Sequence, residues 1–257
     1  MNLKLSGKVA VITGASRGIG RSIAEVLSQE GMRLVLAARS GEQLEEVARA
    51  CNVDVAIFAA DLREESSPKR LVKLAVDKFG KIDLLVNNAG ATKRGDFLLL
   101  TEEDWHDGFA LKFYSAVRCS RAAWPHLVNA KGSIVNIVGV GGRTTSADFS
   151  IGGAVNAALL SLTKALADRG IKEGVRVNAI NPGWIATDRL SMRIAKFAEE
   201  RRVPLHDAAS RMAEQMGVNR FGEPVEIAAA VAFLASEMSN YCQGTVLDVD
   251  GGSTKTL

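Results

Sequence analysis

The sequence predicts a single α/β domain built on a doubly wound parallel sheet of about seven strands, with helices on both faces. Short apolar runs alternate with longer segments of helical periodicity along the whole chain. The runs are continuously apolar, which is typical of strands that are buried on both faces. A length of 257 residues and a hydrophobic content of 47% suit one large domain with a buried core.

Seven apolar runs predict the strands. In chain order they are residues 8–14, 33–39, 54–61, 82–90, 132–139, 174–183 and 244–252. The first helical segment places Ile23, Ala24 and Leu27 on one face ahead of Gly31. Strands that alternate with helices require right-handed crossovers, so the sheet is expected to be parallel. No linker or low-complexity tract interrupts the pattern, and residues 1–257 are expected to form one domain.

Residues 188–221 break this alternation. They are dense in charged residues and lie between a Pro-Gly turn and the next helical segment. An insertion of this length in a compact domain is often a lid or a substrate loop. A solvated helical excursion would have the same composition, so both interpretations stay open.

The composition argues against several classes of partner. The formal net charge is +3 and no run of Lys and Arg is present, so no nucleic-acid partner is expected. Cys51, Cys119 and Cys242 are widely spaced without a Cys-x-x-Cys pair, which predicts free thiols and no metal site. The chain soon enters a polar turn, and no apolar run approaches the ~18 residues of a membrane span. We expect a cytoplasmic protein that acts on a small molecule, with no membrane partner.

A glycine-rich turn follows the first predicted strand. Gly14 permits a tight turn, Gly18 lets the backbone approach a pyrophosphate, and Gly20 allows the next helix to pack closely on the strand. The remaining residues of this loop are Ser16, Arg17 and Ile19. The helix offers free N–H groups and the positive end of its dipole to phosphates. Because the glycines join a strand to a helix, the pattern predicts a dinucleotide site.

The end of the second strand indicates which dinucleotide binds. NAD sites usually carry an acidic residue here, which binds both hydroxyls of the adenosine ribose. This chain has Ala38 and Arg39 instead. A guanidinium can bind a 2′-phosphate that a carboxylate would repel, and Arg17 could assist. NADP(H) is therefore favoured over NAD(H); the alternative is that Arg39 is a solvent-facing helix cap.

Further motifs lie at the ends of the predicted strands. Near the N-terminus they are the glycine turn at residues 13–20, the pair Asp61 and Leu62, and the tetrapeptide Asn87, Asn88, Ala89 and Gly90. A turn follows with Pro182, Gly183, Ile185 and Thr187. The closing segment contains residues 233–236, Gly244 and residues 250–252. On these motifs the chain resembles the short-chain dehydrogenase/reductase family, close in form to its 3-oxoacyl-acyl-carrier-protein reductases. The resemblance runs nearly end to end. It implies a Rossmann fold with the adenine beside Asp61 and Leu62, and with the nicotinamide over the turn at 182–187.

The resemblance also implies a catalytic centre of four residues. Family members reduce carbonyls or oxidise alcohols by hydride transfer, using a Tyr as proton donor and acceptor, a Lys four residues later, a Ser and an Asn. Aligned on residues 156–167, this chain has Gly152 at the Tyr position, Asn156 at the Lys position, Gly139 at the Ser position and Lys112 at the Asn position. All four differ, so the standard Tyr–Lys mechanism is not expected. Lys and Asn are both retained, with their positions exchanged.

Lys112 and Asn156 are therefore the candidate catalytic residues. Lys112 could bind a ribose hydroxyl, a substrate carboxylate or a developing oxyanion, or form a Schiff base if burial lowers its pKa. A helix lysine whose ammonium reaches solvent or an internal carbonyl is the alternative. Lys93, Arg94 and Arg143 flank the region and could bind an anionic or acyl substrate.

Three functions stay open. The leading one is an NADP(H)-binding oxidoreductase with a non-standard centre, acting on a carbonyl or alcohol. The second is a catalytically inactive subunit in a mixed oligomer with an active paralogue. The third is a lyase, hydratase or isomerase that reuses the pocket. The resemblance further implies a homodimer or homotetramer.

Overall fold

A computed structural model describes residues 2–256 and contains the parallel sheet that the sequence predicts. Its strands are β1 (Val9–Thr13), β2 (Arg33–Ala38), β3 (Val55–Ala59), β4 (Leu84–Asn87), β5 (Ser133–Ile137), β6 (Arg176–Pro182) and β7 (Val246–Val249). Their order is β3-β2-β1-β4-β5-β6-β7, and neighbouring strands are parallel. All seven predicted strands are confirmed, since each lies within the apolar run that predicts it.

Helices connect the strands and cover both faces of the sheet. They are α1 (Gly18–Gln29), α2 (Gly41–Ala50), α3 (Ser67–Phe79), α4 (Glu102–Gly108), α5 (Ser115–Ala130), α6 (Ser150–Glu173), α7 (Asp188–Arg201), α8 (Leu205–Gln215) and α9 (Pro224–Ala235). A π-helical segment, Phe109–Tyr114, joins α4 to α5 without a break. A π-helical turn of this kind is rare and is frequent at functional sites.

Two apolar layers enclose the sheet. On one face α1 packs against α9, and Ile23, Leu27 and Val231 are fully buried there. On the other face Leu71 of α3 and Leu127 of α5 are fully buried. Every residue of β1 and of β5 is buried, which explains why these strands are mostly apolar; the buried Asn136 of β5 is satisfied by hydrogen bonds to Asn87 and Thr163.

The direction of winding reverses at β1. Strands β2 and β3 lie on one side of β1, and strands β4 to β7 lie on the other. In open α/β sheets, ligands bind in the crevice outside the carboxyl ends of the strands at such a reversal. β1 ends at Thr13 and β4 ends at Asn87, so the glycine turn and the segment 88–90 border this crevice.

The charged segment 188–221 is largely helical. It forms α7 and α8, which pack against each other. Leu190, Ala198, Met212 and Ala213 are buried, whereas most of the charged side chains are exposed. Residues 188–221 are therefore mostly helix with a solvent-exposed charged face, and a lid function for this segment remains a prediction.

One helix within residues 2–256 is long and apolar enough to span a membrane by length and composition, namely Ala147–Glu173 with a mean hydropathy of 1.3. In this structure one face of it is buried, and 39% of its most apolar 18-residue window lies inside the protein. It packs on β6, and Val155 and Leu159 are buried. Thr163 lies on the same face, where its hydroxyl accepts a hydrogen bond from the Asn136 amide at 2.9 Å. Such buried polar contacts are typical of a helix that packs within a protein interior.

Candidate active site

The glycine turn after β1 adopts a geometry that requires glycine at three positions. Gly14 and Gly18 have φ of 66° and 54°, where residues with a Cβ are disfavoured. A Cβ on Gly14 would also lie 2.9 Å from the Cα of Ala89. A Cβ on Gly20 would overlap the Gly14 carbonyl oxygen. The turn is therefore held tightly against both α1 and the segment that follows β4.

Side-chain hydrogen bonds tie this turn to the end of β4. The Thr13 hydroxyl accepts from the N–H groups of Asn88 and Ala89 at 2.9 and 3.0 Å. The Asn88 amide donates to the carbonyls of Thr13 and Gly14, both at 3.0 Å. These bonds fix the relative position of the two segments that border the crevice.

The N-terminus of α1 is open toward the crevice. Its N-cap, Arg17, is extended and makes no side-chain cap, and the first turn contains no acidic residue. The turn after β6 approaches from the other side, because the Thr187 methyl lies 3.3 Å from the position of a Cβ on Gly18. Gly183 is required in that turn, since a Cβ there would lie 2.7 Å from the Cα of Asp250. Free N–H groups facing a close backbone approach suit a pyrophosphate.

Arg39 lies just after β2 with an exposed side chain. Ser40 rather than Arg39 caps α2, since its hydroxyl accepts from the Gln43 N–H at 3.3 Å. The alternative that Arg39 is a helix cap is therefore wrong. Within residues 2–256, its guanidinium makes no hydrogen bond or salt bridge, which leaves it free for a ligand.

Asp61 and Leu62 follow β3 at the same edge of the sheet. The Asp61 carboxylate accepts two bonds from the Arg63 guanidinium, at 3.0 and 3.1 Å. This guanidinium lowers the pKa of Asp61, so the carboxylate is charged at neutral pH. Leu62 is buried in the core on this face.

Lys112 projects from the π-helical segment into the centre of the crevice. Its Nζ donates to Asn156 Oδ1 at 2.6 Å and to the carbonyl of Val138 at 2.5 Å. The Asn156 amide in turn donates to the carbonyl of Gly139 at 3.4 Å. The Lys112 alkyl chain crosses Gly90, where a Cβ would lie 2.9 Å from its Cδ. The predicted proximity of Lys112 and Asn156 is thus a direct contact.

The Lys112 ammonium lies deep among these groups. Burial, with a smaller contribution from the positive charge of Arg189, lowers the pKa of Lys112 to about 7. An ammonium has three N–H donors, and Asn156 and Val138 accept two of them. The third N–H is not used by a hydrogen bond within residues 2–256. Lys112 therefore has the chemistry of an acid or base near neutral pH.

Phe149 fills the space in front of Gly152. A Cβ on Gly152 would overlap Cε2 and Cζ of the Phe149 ring. The ring also covers Gly141, where a Cβ would lie 2.6 Å from its Cε1. The Arg94 guanidinium stacks on the ring, 3.7 Å from its centroid. Gly152 is therefore a packing partner of an aromatic ring that comes from the preceding turn.

The Phe149–Gly152 contact predicts that Gly152→Ala destabilises the native protein but stabilises a Phe149→Ala variant. In the native chain the new methyl collides with the ring, and overpacking typically costs about 1–3 kcal/mol. In a Phe149→Ala background the collision is absent, so the helix preference for Ala over Gly should stabilise by about 0.5–1 kcal/mol. Urea unfolding of the four variants measures both. Equal effects in the two backgrounds would contradict the packing described here.

Arginines of α7 extend the site beyond the predicted residues. Arg94 was expected only to flank the region, and Arg189 and Arg193 of α7 were not predicted. Arg189 donates to the carbonyl of Gly90 at 2.8 Å. The signal for the α7 pair is their i, i+4 spacing, which places both on one helix face.

Comparison with known proteins assigns the family. Residues 14–254 match the family described as Enoyl-(Acyl carrier protein) reductase. The chain belongs to the short-chain dehydrogenase/reductase family. An uncharacterized oxidoreductase of Mycobacterium tuberculosis is a relative, 37% identical over 98% of this chain and 94% of its own length. The 3-oxoacyl-acyl-carrier-protein reductase of Vibrio cholerae is 35% identical over 97% of this chain and 98% of its own length.

Solved structures of short-chain dehydrogenases/reductases have the same fold. The L-sorbose reductase of Gluconobacter frateurii, solved in complex with NADPH and L-sorbose, matches this chain with a TM-score of 0.95 and 33% identity over 100% of both chains. Levodione reductase matches with a TM-score of 0.90 and 29% identity over 98% of this chain and 99% of its own. The predicted family and fold are confirmed.

Proposed function

We propose that this short-chain dehydrogenase/reductase uses NADP(H) to interconvert a carbonyl and an alcohol, with Lys112 as the group that gives and takes the proton. The observation that carries this proposal is the position of the Lys112 ammonium. It lies at the carboxyl ends of the strands, bonded to Asn156 and Val138 and packed against Gly90. This is the place where ligands bind in an open α/β sheet.

The cofactor is assigned to residues that line the crevice. The pyrophosphate would be held by the glycine loop, which contains Gly14, Ser16, Arg17, Gly18, Ile19 and Gly20. The adenine would be flanked by Asp61 and Leu62. The ribose and nicotinamide would be bordered by Asn88, Ala89, Gly90, Pro182, Gly183, Ile185 and Thr187. The cradle fits because Gly14, Gly18 and Gly20 keep the backbone free of side chains where it meets α1. When bound, the cofactor supplies or accepts the hydride.

Arg39 supports NADP(H) over NAD(H). Its guanidinium is exposed after β2, beside the edge of the sheet that carries Asp61. The Asp61 carboxylate is engaged by Arg63, so Arg39 is available for a 2′-phosphate. The NADPH in the Gluconobacter L-sorbose reductase structure is consistent with this preference.

Arg39→Gln is expected to weaken NADPH binding about tenfold and to leave NADH binding nearly unchanged. A bond from a charged group contributes about 1.5–3 kcal/mol, and the exposure of Arg39 puts the effect near the lower end. Titration of both reduced cofactors, followed by nicotinamide fluorescence, measures the ratio. Arg49→Gln, an exposed arginine at the far end of α2, is the control. An equal loss for NADPH and NADH would contradict the role of Arg39.

Lys112 can move one proton without losing its position. The ammonium uses two N–H groups for Asn156 and Val138, which leaves the third for a substrate oxygen. After that proton leaves, the neutral amine keeps both bonds and exposes a lone pair. A pKa of about 7 populates both forms near neutral pH. Asn156 acts as a positioning residue in this scheme.

This centre does not use a tyrosine. Gly152 and Gly139 stand where the resemblance implies a Tyr and a Ser, and the Phe149 ring covers Gly152. The two tyrosines of the chain, Tyr114 and Tyr241, are 49% and 105% exposed, and neither lies on α6 with Gly152. A non-standard centre around Lys112 is therefore the interpretation that we favour.

The proposal is tested by cofactor binding and turnover together. NADPH titration is followed by a panel of aldehydes and ketones, with loss of NADPH absorbance as the readout. Binding without turnover of any carbonyl would favour the inactive subunit, and co-purification with an active paralogue would decide for it. A carbonyl or alcohol product formed without NADPH consumption would favour the lyase or isomerase. Sedimentation of the purified chain tests the predicted homodimer or homotetramer.

A further inference from the structure

We infer that Asn181 and Asp248 are positioning residues for the Lys112 centre. They hold the segment 138–143, which follows β5 and supplies the carbonyls that bind Lys112 and Asn156. Within residues 2–256 neither makes a hydrogen bond to Lys112 or Asn156, so each acts through the backbone of this segment. The inference rests on the proposed function, because it concerns the same centre.

The backbone of this segment is the acceptor side of the Lys112 centre. Val138 accepts from the Lys112 Nζ at 2.5 Å, and Gly139 accepts from the Asn156 amide at 3.4 Å. The N–H of Val138 donates to the carbonyl of Ile180 at 2.8 Å, which ties the start of the segment to β6. A displacement of the segment would therefore move both acceptors at once.

Gly139 connects the centre to Asn181. Its φ of 125° lies in the region that favours glycine, and a glycine backbone is held in one conformation only by its partners. Its carbonyl accepts from Asn156 of α6, whereas its N–H donates to Asn181 Oδ1 of β6 at 3.2 Å. A Cβ at Gly139 would lie 3.2 Å from the Asn156 Nδ2, so the segment is packed closely against α6.

Asp248 determines which way the Asn181 amide faces. The two residues are register partners on the neighbouring strands β6 and β7, so their side chains lie on the same face of the sheet. Asn181 Nδ2 donates to Asp248 Oδ1 at 2.8 Å, and a carboxylate can only accept. The amide oxygen is therefore left for the Gly139 N–H. Asn181 is fully buried, so a flipped amide would set donor against donor and oxygen against oxygen without water to compensate.

The second oxygen of Asp248 holds the other end of the segment. Arg143 Nη1 lies 3.4 Å from Asp248 Oδ2, and both side chains are partly buried. Arg143 follows the short helical turn Val140–Gly142 directly. One carboxylate therefore fixes Gly139 through Asn181 and Arg143 by an ion pair.

A matched pair of asparagines on β6 tests the inference. Asn178 is buried like Asn181 and makes the same two kinds of bond, accepting from the Thr245 N–H at 2.9 Å and donating to the carbonyl of Cys242 at 3.0 Å. Neither partner belongs to the segment 138–143. Asn178→Ala and Asn181→Ala are therefore expected to lower the thermal unfolding midpoint similarly, but only Asn181→Ala should disturb the centre.

The first readout is the pKa of Lys112, followed by NMR of protein labelled at the lysine Cε, with Lys112→Met identifying the signal. A loosened segment admits water to the ammonium, so Asn181→Ala should raise this pKa from about 7 to about 8 or higher. Asp248→Asn should raise it as well, although the loss of a negative charge alone would lower it. The charge of Arg189, which also acts on Lys112, is the same in both variants.

Steady-state kinetics gives the second readout. In Asn181→Ala, kcat should fall about tenfold or more, because a small misplacement of a catalytic group is costly. The KM for the carbonyl and the affinity for NADPH should change much less. Asp54→Asn, which removes an exposed carboxylate just before β3, is the control for the charge change in Asp248→Asn.

An unchanged Lys112 pKa in both Asn181→Ala and Asp248→Asn would overturn the inference. An equal rise in Asn178→Ala would overturn it as well, since the effect would then follow the loss of any buried amide from β6. If Asn181→Ala does not fold, the isosteric Asp248→Asn decides. Absence of turnover by the native chain counts against the proposed function alone, because the NMR titration is measured without substrate.

Discussion

Lys112→Met is expected to lower kcat for carbonyl reduction by about 10²–10⁴, the range typical for loss of a general acid. The variant keeps an unbranched side chain over Gly90 but has no proton to give. The affinity for NADPH should change much less than kcat, because the glycine loop and Arg39 are untouched. Steady-state kinetics with a substrate from the carbonyl panel, beside an NADPH titration, separates the two effects.

The pH dependence gives the same prediction a second readout. Lys112 donates in its charged form, so kcat/KM for reduction should be constant at low pH and fall as pH rises through about 7. This limb should be absent from the residual activity of Lys112→Met. Lys172→Met, an exposed lysine near the end of α6, should keep both the rate and the limb. Unchanged kcat in Lys112→Met would remove Lys112 from the mechanism.

Gly20→Ala is expected to weaken binding of both NADPH and NADH by about a hundredfold. The methyl group would overlap the Gly14 carbonyl oxygen and approach the Asn88 amide nitrogen to 2.5 Å. Backbone does not yield as a flexible side chain does, so the turn must move away from α1 at a cost of about 1–3 kcal/mol. Fluorescence titration with each reduced cofactor measures the loss.

Gly41→Ala is the matched control for that substitution. Gly41 lies in the first turn of a helix, as Gly20 does, and a Cβ there would meet Ala59 at 3.5 Å, an ordinary contact. We expect this variant to bind both cofactors like the native chain. Thermal unfolding of the two variants shows whether Gly20→Ala still folds, and native affinity in a folded Gly20→Ala protein would contradict the assigned turn.

The strands and the cofactor cradle could be predicted because their signals are local. A strand buried on both faces is mostly apolar, and a turn with φ near 60° favours glycine. These constraints act on single positions, as at Gly14 and Gly18, and the structure places the turn beside Ala89 and Thr187.

The mouth of the crevice was less predictable because its contacts depend on tertiary structure. Arg189 and Gly90 are far apart in the chain, and nothing in the local sequence indicates the 2.8 Å hydrogen bond between the guanidinium and the carbonyl. The sequence likewise predicts an ordinary helix at Lys112, whereas the structure has a π-helical segment there. The contact between Lys112 and Asn156 was expected from the spacing of the two residues, whereas the exchange of their positions relative to other family members stays a prediction.

The Phe149 ring over Gly152 constrains how this site could change. A side chain at residue 152 would occupy the space of the ring, so a tyrosine there requires the ring to move or residue 149 to be smaller. Either change removes the surface on which Arg94 now stacks. A tyrosine at residue 152 is therefore incompatible with the present contact between Arg94 and Phe149.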